Sequence, residues 1–188
     1  MKAIGIVGSP RKGGNTEILT EHTLKAIAEE GLATELIRLA GLNISPCNAC
    51  MLCRKEVEKC SIEDDLQPIY AKMKEADAII LASPVYFGSV TALLKAFLER
   101  AGYMSYPKKP FAGKVGGPLV VARRAGKTFT FTQLLLWFYI EGMVVPGSSY
   151  WSVAFGREKE EVRSDQEGLA TAWNFGKNVA YVVKKLKA

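Results

Sequence analysis

The segment KAIGIVGSPRKGGNTEILTEHTLKAIAEE, residues 2–30, changes hydrophobic period in its middle. KAIGIVG, residues 2–8, is a short apolar run of strand type that ends in glycine. From Thr16 to Glu30, Ile18, Leu19, His22, Ala26 and Ile27 recur at helical spacing. Between the two lies GSPRKGGNT, residues 8–16, a turn of glycines and polar side chains. The order is strand, turn, helix.

That order repeats without a linker, an internal repeat or a low-complexity break. ATELIRLA (33–40) is a second strand, and a cysteine-rich loop follows it at 46–62. SIEDDLQPIYAKMKEA (61–76) carries Ser and Asp cap candidates ahead of a helix, with Pro68 tolerable only in the first turn. DAIILAS (77–83), continuously apolar, is a third strand suited to the centre of a sheet. Then come helix ALLKAFLERAG (92–102), strand GKVGGPLVVA (113–122), helix FTQLLLWFYIEGM (131–143), a short fifth strand within VVPGSSYWSVAF (144–155), and a final helix from about Ser164 to Lys187. Strands alternating with helices imply right-handed crossovers and a parallel sheet. The expected class is therefore α/β, a flavodoxin-like doubly wound five-stranded parallel sheet with helices on both faces. Residues 1–188 form one domain on this reading, and the ligand crevice lies beyond the carboxyl ends of the first and third strands.

A chain of 188 residues that is 48% hydrophobic buries a sufficient core without disulfide staples. The opening apolar run is too short for a signal peptide, and no apolar stretch reaches membrane-spanning length. The expected setting is the cytoplasm, where thiols stay reduced. The net charge of +6, from 25 Lys+Arg against 19 Asp+Glu, is scattered, with small clusters in YPKKP and KKLKA. No dense basic run is interleaved with aromatics, so nucleic acid is not an expected partner. The excess either solvates the surface or offsets anionic cofactors.

The loops after the first and third strands carry the most chemical information. In GSPRKGGNT, glycines free the backbone while Ser9, Arg11, Asn15 and Thr16 offer donors beside a helix start, as a phosphate cradle requires. The loop lacks the Lys-Ser/Thr pair of a nucleoside-triphosphate loop and the spacing of the dinucleotide G-x-G-x-x-G. A terminal phosphate monoester fits it best; a plain glycine-rich turn capping a helix is the alternative. SPVYFGSVT, residues 83–91, sets aromatics Tyr86 and Phe87 at a strand end, between Pro84 and the permissive Gly88. Alone these would be ordinary core aromatics. Together the two loops suit a ligand with one phosphate end and one flat ring, which is the form of FMN.

All four cysteines lie in PCNACMLCRKEVEKC, residues 46–60, with two, two and six residues between them. In a reduced chain, such a cluster can hold an iron-sulfur cluster or zinc, or act as redox thiols. Cys47, Cys50 and Cys53 recur every third residue, like a C-x2-C-x2-C ferredoxin run, and Cys60 returns after a short loop. Four-cysteine zinc sites more often pair two C-x2-C knuckles across a longer gap. All three readings remain open on spacing alone.

The motifs GSPRKGGNT, PCNACMLC, the DDL at Asp64–Leu66, SPVYFGSVTALLKAFLER and ARRAG resemble the iron-sulfur flavoprotein group within the flavodoxin-like, NADPH-dependent FMN reductase superfamily. The resemblance covers nearly the whole chain. It implies an FMN site with Ser9, Arg11, Asn15 and Thr16 at the phosphate, Pro84, Val85, Tyr86, Phe87 and Gly88 at the ring, and Ala122, Arg123 and Arg124 after the fourth strand. It further implies a 4Fe-4S cluster on Cys47, Cys50, Cys53 and Cys60. With a cluster carrying about −2 and a phosphate about −1.5 to −2, the charge of the loaded subunit falls near +2.

The implied function is an FMN-dependent oxidoreductase exchanging electrons between flavin and cluster, with ferredoxin or NAD(P)H as donor and a small-molecule acceptor. No side-chain acid or base is needed. The alternatives are a clusterless NAD(P)H-dependent FMN or quinone reductase and a zinc-stabilised binding module. His22, the lone histidine, is expected to be structural, and Asp64 and Asp65 to be helix caps. FTFTQLLLWFYIEG, residues 129–142, is too apolar for a solvated helix and is expected to combine core with an interface of a homodimer or homotetramer, as is typical of the superfamily.

Overall fold

The computed structural model describes all 188 residues. Strands β1 (Lys2–Val7), β2 (Ala33–Arg38), β3 (Ala78–Pro84), β4 (Val115–Ala122) and β5 (Val153–Phe155) form one parallel sheet in the order β2-β1-β3-β4-β5. This is the flavodoxin-like order, whose switch point lies between β1 and β3. The helices are α1 (Asn15–Glu29), α2 (Leu52–Lys55), α3 (Leu66–Glu75), α4 (Ala92–Ser105), α5 (Lys127–Ile140) and α6 (Gln166–Lys187), with a 3-10 turn at Glu161–Ser164. No helix is long and apolar enough to cross a membrane.

Strand alternation divides the core in two. Ile4, Ile6, Ile79 and Leu81 face Tyr70 and Met73 of α3, Leu94 and Phe97 of α4, and Leu134 and Phe138 of α5. Ala3, Ala78, Ile80, Leu119 and Val121 face Leu19 and Ile27 of α1 and Phe175 and Val179 of α6. Because both faces are covered there, β1, β3 and β4 appear as near-continuous apolar runs, whereas the edge strand β2, ATELIR, does not. Burying each large side chain contributes about 1.5–3 kcal/mol, before the entropy of ordering is subtracted.

Two residues explain the shape of the β4 edge. A Cβ on Gly116 would come 2.3 Å from the Ile79 carbonyl oxygen, so only glycine lets β4 lie this close to β3. Pro118 sits mid-strand, where a missing N–H ordinarily breaks a ladder. Here the flanking donors on its side go to separate partners, Gly116 N to Val144 O and Val120 N to Ser152 O. Between those bonds the chain loops away, and nothing asks Pro118 for a proton.

The structure shortens or shifts several expected elements. The fifth strand keeps only Val153–Phe155, plus an isolated bridge between Val144 and Val115. The second strand stops at Arg38, ahead of a turn in which Gly41 has φ 87°. α5 begins at Lys127, directly after Gly126, four residues before the expected start. α2 is an unforeseen single turn inside the cysteine loop. Pro68 is the third residue of α3, within the first turn as required.

Candidate functional site

At the carboxyl ends of β1, β3 and β4 lies a pocket of about 280 Å³ lined by Ser9, Arg11, Asn15, Thr16, Pro84, Val85, Tyr86, Val121, Ala122, Arg123, Gly156 and Arg157. One end is made by the loop after β1. Its conformation is fixed locally: Arg11 N donates to Ser9 Oγ (3.2 Å) and Gly13 N to Glu17 Oε2 (2.9 Å). Burial alone would raise the Glu17 carboxyl, but Arg38 at 2.7 Å and the Gly13 N–H outweigh it and hold it below its usual range. α1 then starts at Asn15 without any side-chain cap on Gly14. Its first-turn N–H groups have no intrahelical partner. An uncapped helix start in a pocket that Arg11, Arg123 and Arg157 also line has the chemistry to bind an anion.

The other end is made by the loop after β3. Tyr86 and Ser89 exchange both backbone hydrogen bonds, at 2.9 and 3.0 Å, around Phe87 (φ 49°) and Gly88 (φ 77°). This is a tight two-residue hairpin with both central residues in the left-handed region, which Gly88 adopts freely and Phe87 does not. Pro84, Val85 and Tyr86 therefore wall the pocket, while Phe87 at the tip is fully exposed. The hairpin is anchored through Ser89 Oγ and Val90 N, which both donate to Gln133 Oε1 of α5.

Of the expected FMN residues, the structure brings Ser9, Arg11, Asn15, Thr16, Pro84, Val85, Tyr86, Ala122 and Arg123 to one pocket. Phe87, Gly88 and Arg124 lie outside its lining. Asn15 is already engaged: its Nδ2 donates to Glu158 O (2.7 Å), and its Oδ1 accepts from Val162 N (3.2 Å). It pins the 156–162 loop over the site. That loop contributes Gly156 and Arg157, which sequence reasoning missed because it follows a strand only three residues long.

A second cavity is lined by Cys47, Cys50, Cys53 and Cys60, together with Met51, Ile62, Arg100, Tyr103 and Met104. Ala49 (φ 56°), Met51 (φ 61°) and Glu58 (φ 63°) hold left-handed backbone within this loop, each a strain of about 1–3 kcal/mol. Three of the sulfurs have polar partners. Ala49 N donates to Cys47 Sγ (3.4 Å), Cys50 Sγ lies 2.9 Å from Ser61 Oγ, and Arg100 Nη2 donates to Cys60 Sγ (3.4 Å). The Ser61 hydroxyl draws the Cys50 thiol below its ordinary pKa, whereas burial pushes the Cys53 thiol up.

No group of three His, Cys, Asp or Glu converges as ligands of a single metal ion. Tetrahedral zinc needs four sulfurs within about 4 Å of one another, given Zn–S bonds of about 2.3 Å. A cuboidal cluster puts each thiolate on a different iron and so accepts a wider set. The four thiols that line one largely apolar cavity, with Ala49 N and Arg100 Nη2 donating to two of them, are the donor set such a cluster takes.

Arg100 and Asp64 were not foreseen as parts of this centre. Both side chains are 1% exposed, and they pair with each other beneath the loop. Asp64 Oδ1 does accept from Leu66 N at the start of α3, as a cap would, but Oδ2 takes Arg100 and Ser45 N. Burial alone would raise the Asp64 carboxyl; Arg100 and the two N–H groups outweigh it and hold it low. Asp65 occupies the N-cap position without a cap bond and instead accepts from Asn43 N (2.7 Å), so the capping expectation fails for it. His22 packs against Trp173 with ring centroids 4.9 Å apart and lines neither cavity.

Residues 1–158 match the family described as NADPH-dependent FMN reductase. An iron-sulfur flavoprotein of Methanocaldococcus jannaschii is 44% identical over the full length of both chains. Another, from Methanosarcina thermophila, is 34% identical across all of this chain and 97% of its own. Among solved structures, a WrbA-like flavodoxin of Agrobacterium tumefaciens superposes with a TM-score of 0.71 at 19% identity, covering 98% of each chain. An archaeal flavodoxin does so at 0.65 and 17%, covering 98% of this chain and 99% of its own. Those two likenesses concern the fold, whereas the family match and the full-length relatives concern descent. On that footing the chain belongs to the NADPH-dependent FMN reductase family, as a flavin-dependent oxidoreductase of its iron-sulfur flavoprotein group.

Proposed function

We propose that this chain is an electron-transfer flavoprotein that holds FMN in the crevice between β1 and β3 and a 4Fe-4S cluster on Cys47, Cys50, Cys53 and Cys60. The observation that carries the reading is the presence, on one chain, of an uncapped helix start at a pocket that Arg11, Arg123 and Arg157 line and of a cavity lined by every cysteine. The printed names of the full-length relatives support it. When bound, FMN supplies exchange of one or two electrons and the cluster exchange of single electrons.

The chain's own residues position and shield. Arg11, Thr16 and the first N–H groups of α1 bind the phosphate, while Pro84, Val85, Tyr86 and Ala122 lie along the ring. α4 connects the centres. At its N-cap, Thr91 Oγ1 donates to Gly8 O (2.6 Å) beside the phosphate loop, and Arg100, nine residues on and about 14 Å along the axis, meets Cys60. No proton-transfer residue is assigned, because none is required to move single electrons.

The same proposal takes ferredoxin or NAD(P)H as donor, a small-molecule acceptor, a cytoplasmic setting and a homodimer or homotetramer. A second reading, an NAD(P)H-dependent FMN or quinone reductase without a cluster, is favoured by one feature: Tyr86 is 43% exposed, leaving the ring side of the pocket open to a nicotinamide. Anaerobic reconstitution followed by iron, sulfide and FMN analysis separates the two. Stoichiometric FMN with iron and sulfide in equal amounts is expected; FMN with neither leaves the reductase.

A further inference from the structure

Arg100 makes an unusual set of bonds for a side chain that is 1% exposed. Nη1 donates to Ser45 O (3.2 Å) and to Asp64 Oδ2; Nη2 donates to Ile62 O (2.8 Å) and to Cys60 Sγ (3.4 Å). Ser45 immediately precedes the cysteine loop and Ile62 closes it, so one guanidinium from α4 joins both ends of the loop and touches its last thiol. Nε is the one buried side-chain polar atom in the chain with no partner. Leaving a donor orphaned costs about 1–3 kcal/mol. A buried arginine with an anionic partner is explained by Asp64 alone; the fork turned toward Cys60 is not. An ammonium group on lysine presents a single charge and cannot span four acceptors in this geometry.

We infer that Arg100 is the positioning residue of the cluster centre: it fixes Cys60 as the fourth thiolate ligand and, by donating to that sulfur, stabilises the more reduced state of the cluster. The inference rests on the cluster reading above and adds a role for a residue on a different element. A donor on a ligating sulfur spreads the negative charge that the cluster gains on reduction, which raises its reduction potential. Without the fork, Cys60 loses its anchor, and the iron it holds becomes the one most easily lost.

The test compares the reconstituted wild-type holoprotein with Arg100→Lys and with the paired variant Arg100→Met/Asp64→Asn, which removes both buried charges together. Ferricyanide takes one electron from [4Fe-4S]2+, and the oxidised cluster then sheds Fe2+ to leave [3Fe-4S]+. In both variants this loss, followed by EPR and by iron and sulfide analysis, is expected to be at least about tenfold faster than in the wild type. Sulfide and FMN content should stay unchanged, and the EPR-monitored midpoint potential should move to a more negative value. In the wild type, uniform 15N-arginine labelling should give a nitrogen coupling to the reduced cluster, and its loss in the Arg100→Lys protein assigns it to Arg100 rather than to Arg54 beside Cys53; the wild-type half of this measurement does not depend on the variant's stability. Loss of iron at the wild-type rate with an unchanged potential, or no nitrogen coupling in the wild type, overturns the role of Arg100 while leaving the cluster in place. A wild-type chain that binds FMN but neither iron nor sulfide overturns the cluster reading itself, and this inference with it.

Discussion

Arg11 and Asn15 come from the same short loop, yet the structure gives them different tasks. Arg11 Nη1 reaches Arg157 O at 3.2 Å in an exposed contact, leaving the rest of the guanidinium for a ligand; both polar atoms of Asn15 are spent on the 156–162 loop. The Arg11→Ala variant should therefore lose about ten- to a hundredfold in FMN affinity, the worth of a charge-assisted hydrogen bond of about 1.5–3 kcal/mol. Its riboflavin affinity should stay unchanged, because riboflavin has no phosphate; fluorescence-quenching titrations of both ligands check this. The donor-rich character of the loop was legible in the sequence. The division between Arg11 and Asn15 was not, because the partners of Asn15 lie 143 and 147 residues away. Glu141 is a second case. It is 1% exposed, with Ser105 Oγ 2.6 Å from its Oε2, and that same hydroxyl lies 2.9 Å from the Gly102 carbonyl. One hydroxyl proton serves only one acceptor, and both contacts are satisfied when Glu141 carries its own proton. Burial accordingly pushes its carboxyl up. The native state then binds more protons than the unfolded one, so this contribution to stability is full below the unfolded value of about 4.3 and is lost as pH rises through the folded value. Relative to wild type, Glu141→Gln should gain in urea midpoint between pH 5 and pH 8; a constant difference across that range refutes the assignment.

At the scale of elements, α5 and the cysteine loop show where pattern reading succeeds and where it stops. The run from Phe129 to Gly142 has too little polarity for a solvated helix, and the structure buries only Thr130, Leu134 and Phe138 of α5 itself. Phe129 (78% exposed), Leu136 (61%), Tyr139 (80%) and Ile140 (57%) are left on its outer side. Aromatic and aliphatic side chains gathered on one helix face are the composition of an interface core. Leu136→Glu and Tyr139→Glu together should raise the monomer fraction measured by light scattering after gel filtration. A wild-type chain that is already monomeric at the same concentration removes the interface. α1, β3 and α4 were legible because apolar periodicity is a local property. β5 was located only to within a dozen residues, since three residues carry no usable period. The Arg100–Asp64 pair was invisible for a different reason: 36 residues separate its members, and each alone resembles a surface charge.

At the scale of the whole molecule, the two cavities have no lining residue in common, so the two proposed centres are expected to be chemically separable. Cys50→Ser should lower iron and sulfide content while FMN content stays within about a factor of two of wild type, because Cys50 is exposed and tied only to Ser61 and to its own loop. Parallel loss of FMN in this variant would show instead that the centres depend on each other. The sheet order and the crevice were both predictable at this scale, since right-handed crossovers leave few alternatives once five strands alternate with helices. The closure of the site by the 156–162 loop followed from neither rule. The gap opposite Pro118 also bears on how copies of the chain associate. On that side the edge strand is β5, which pairs with β4 only through Val153–Phe155 beside the lone Val144 bridge, and Pro118 offers no donor in the gap between them. β2, at the opposite edge, carries ion pairs from Glu35 to Lys2 and Lys72, and from Arg38 to Glu17 and Glu21. An incoming strand finds no continuous ladder on one side and a row of committed charges on the other. Growth by adding sheet to sheet, one route to open-ended fibres, is thus obstructed at both ends, which leaves the helical faces as the surfaces open to association.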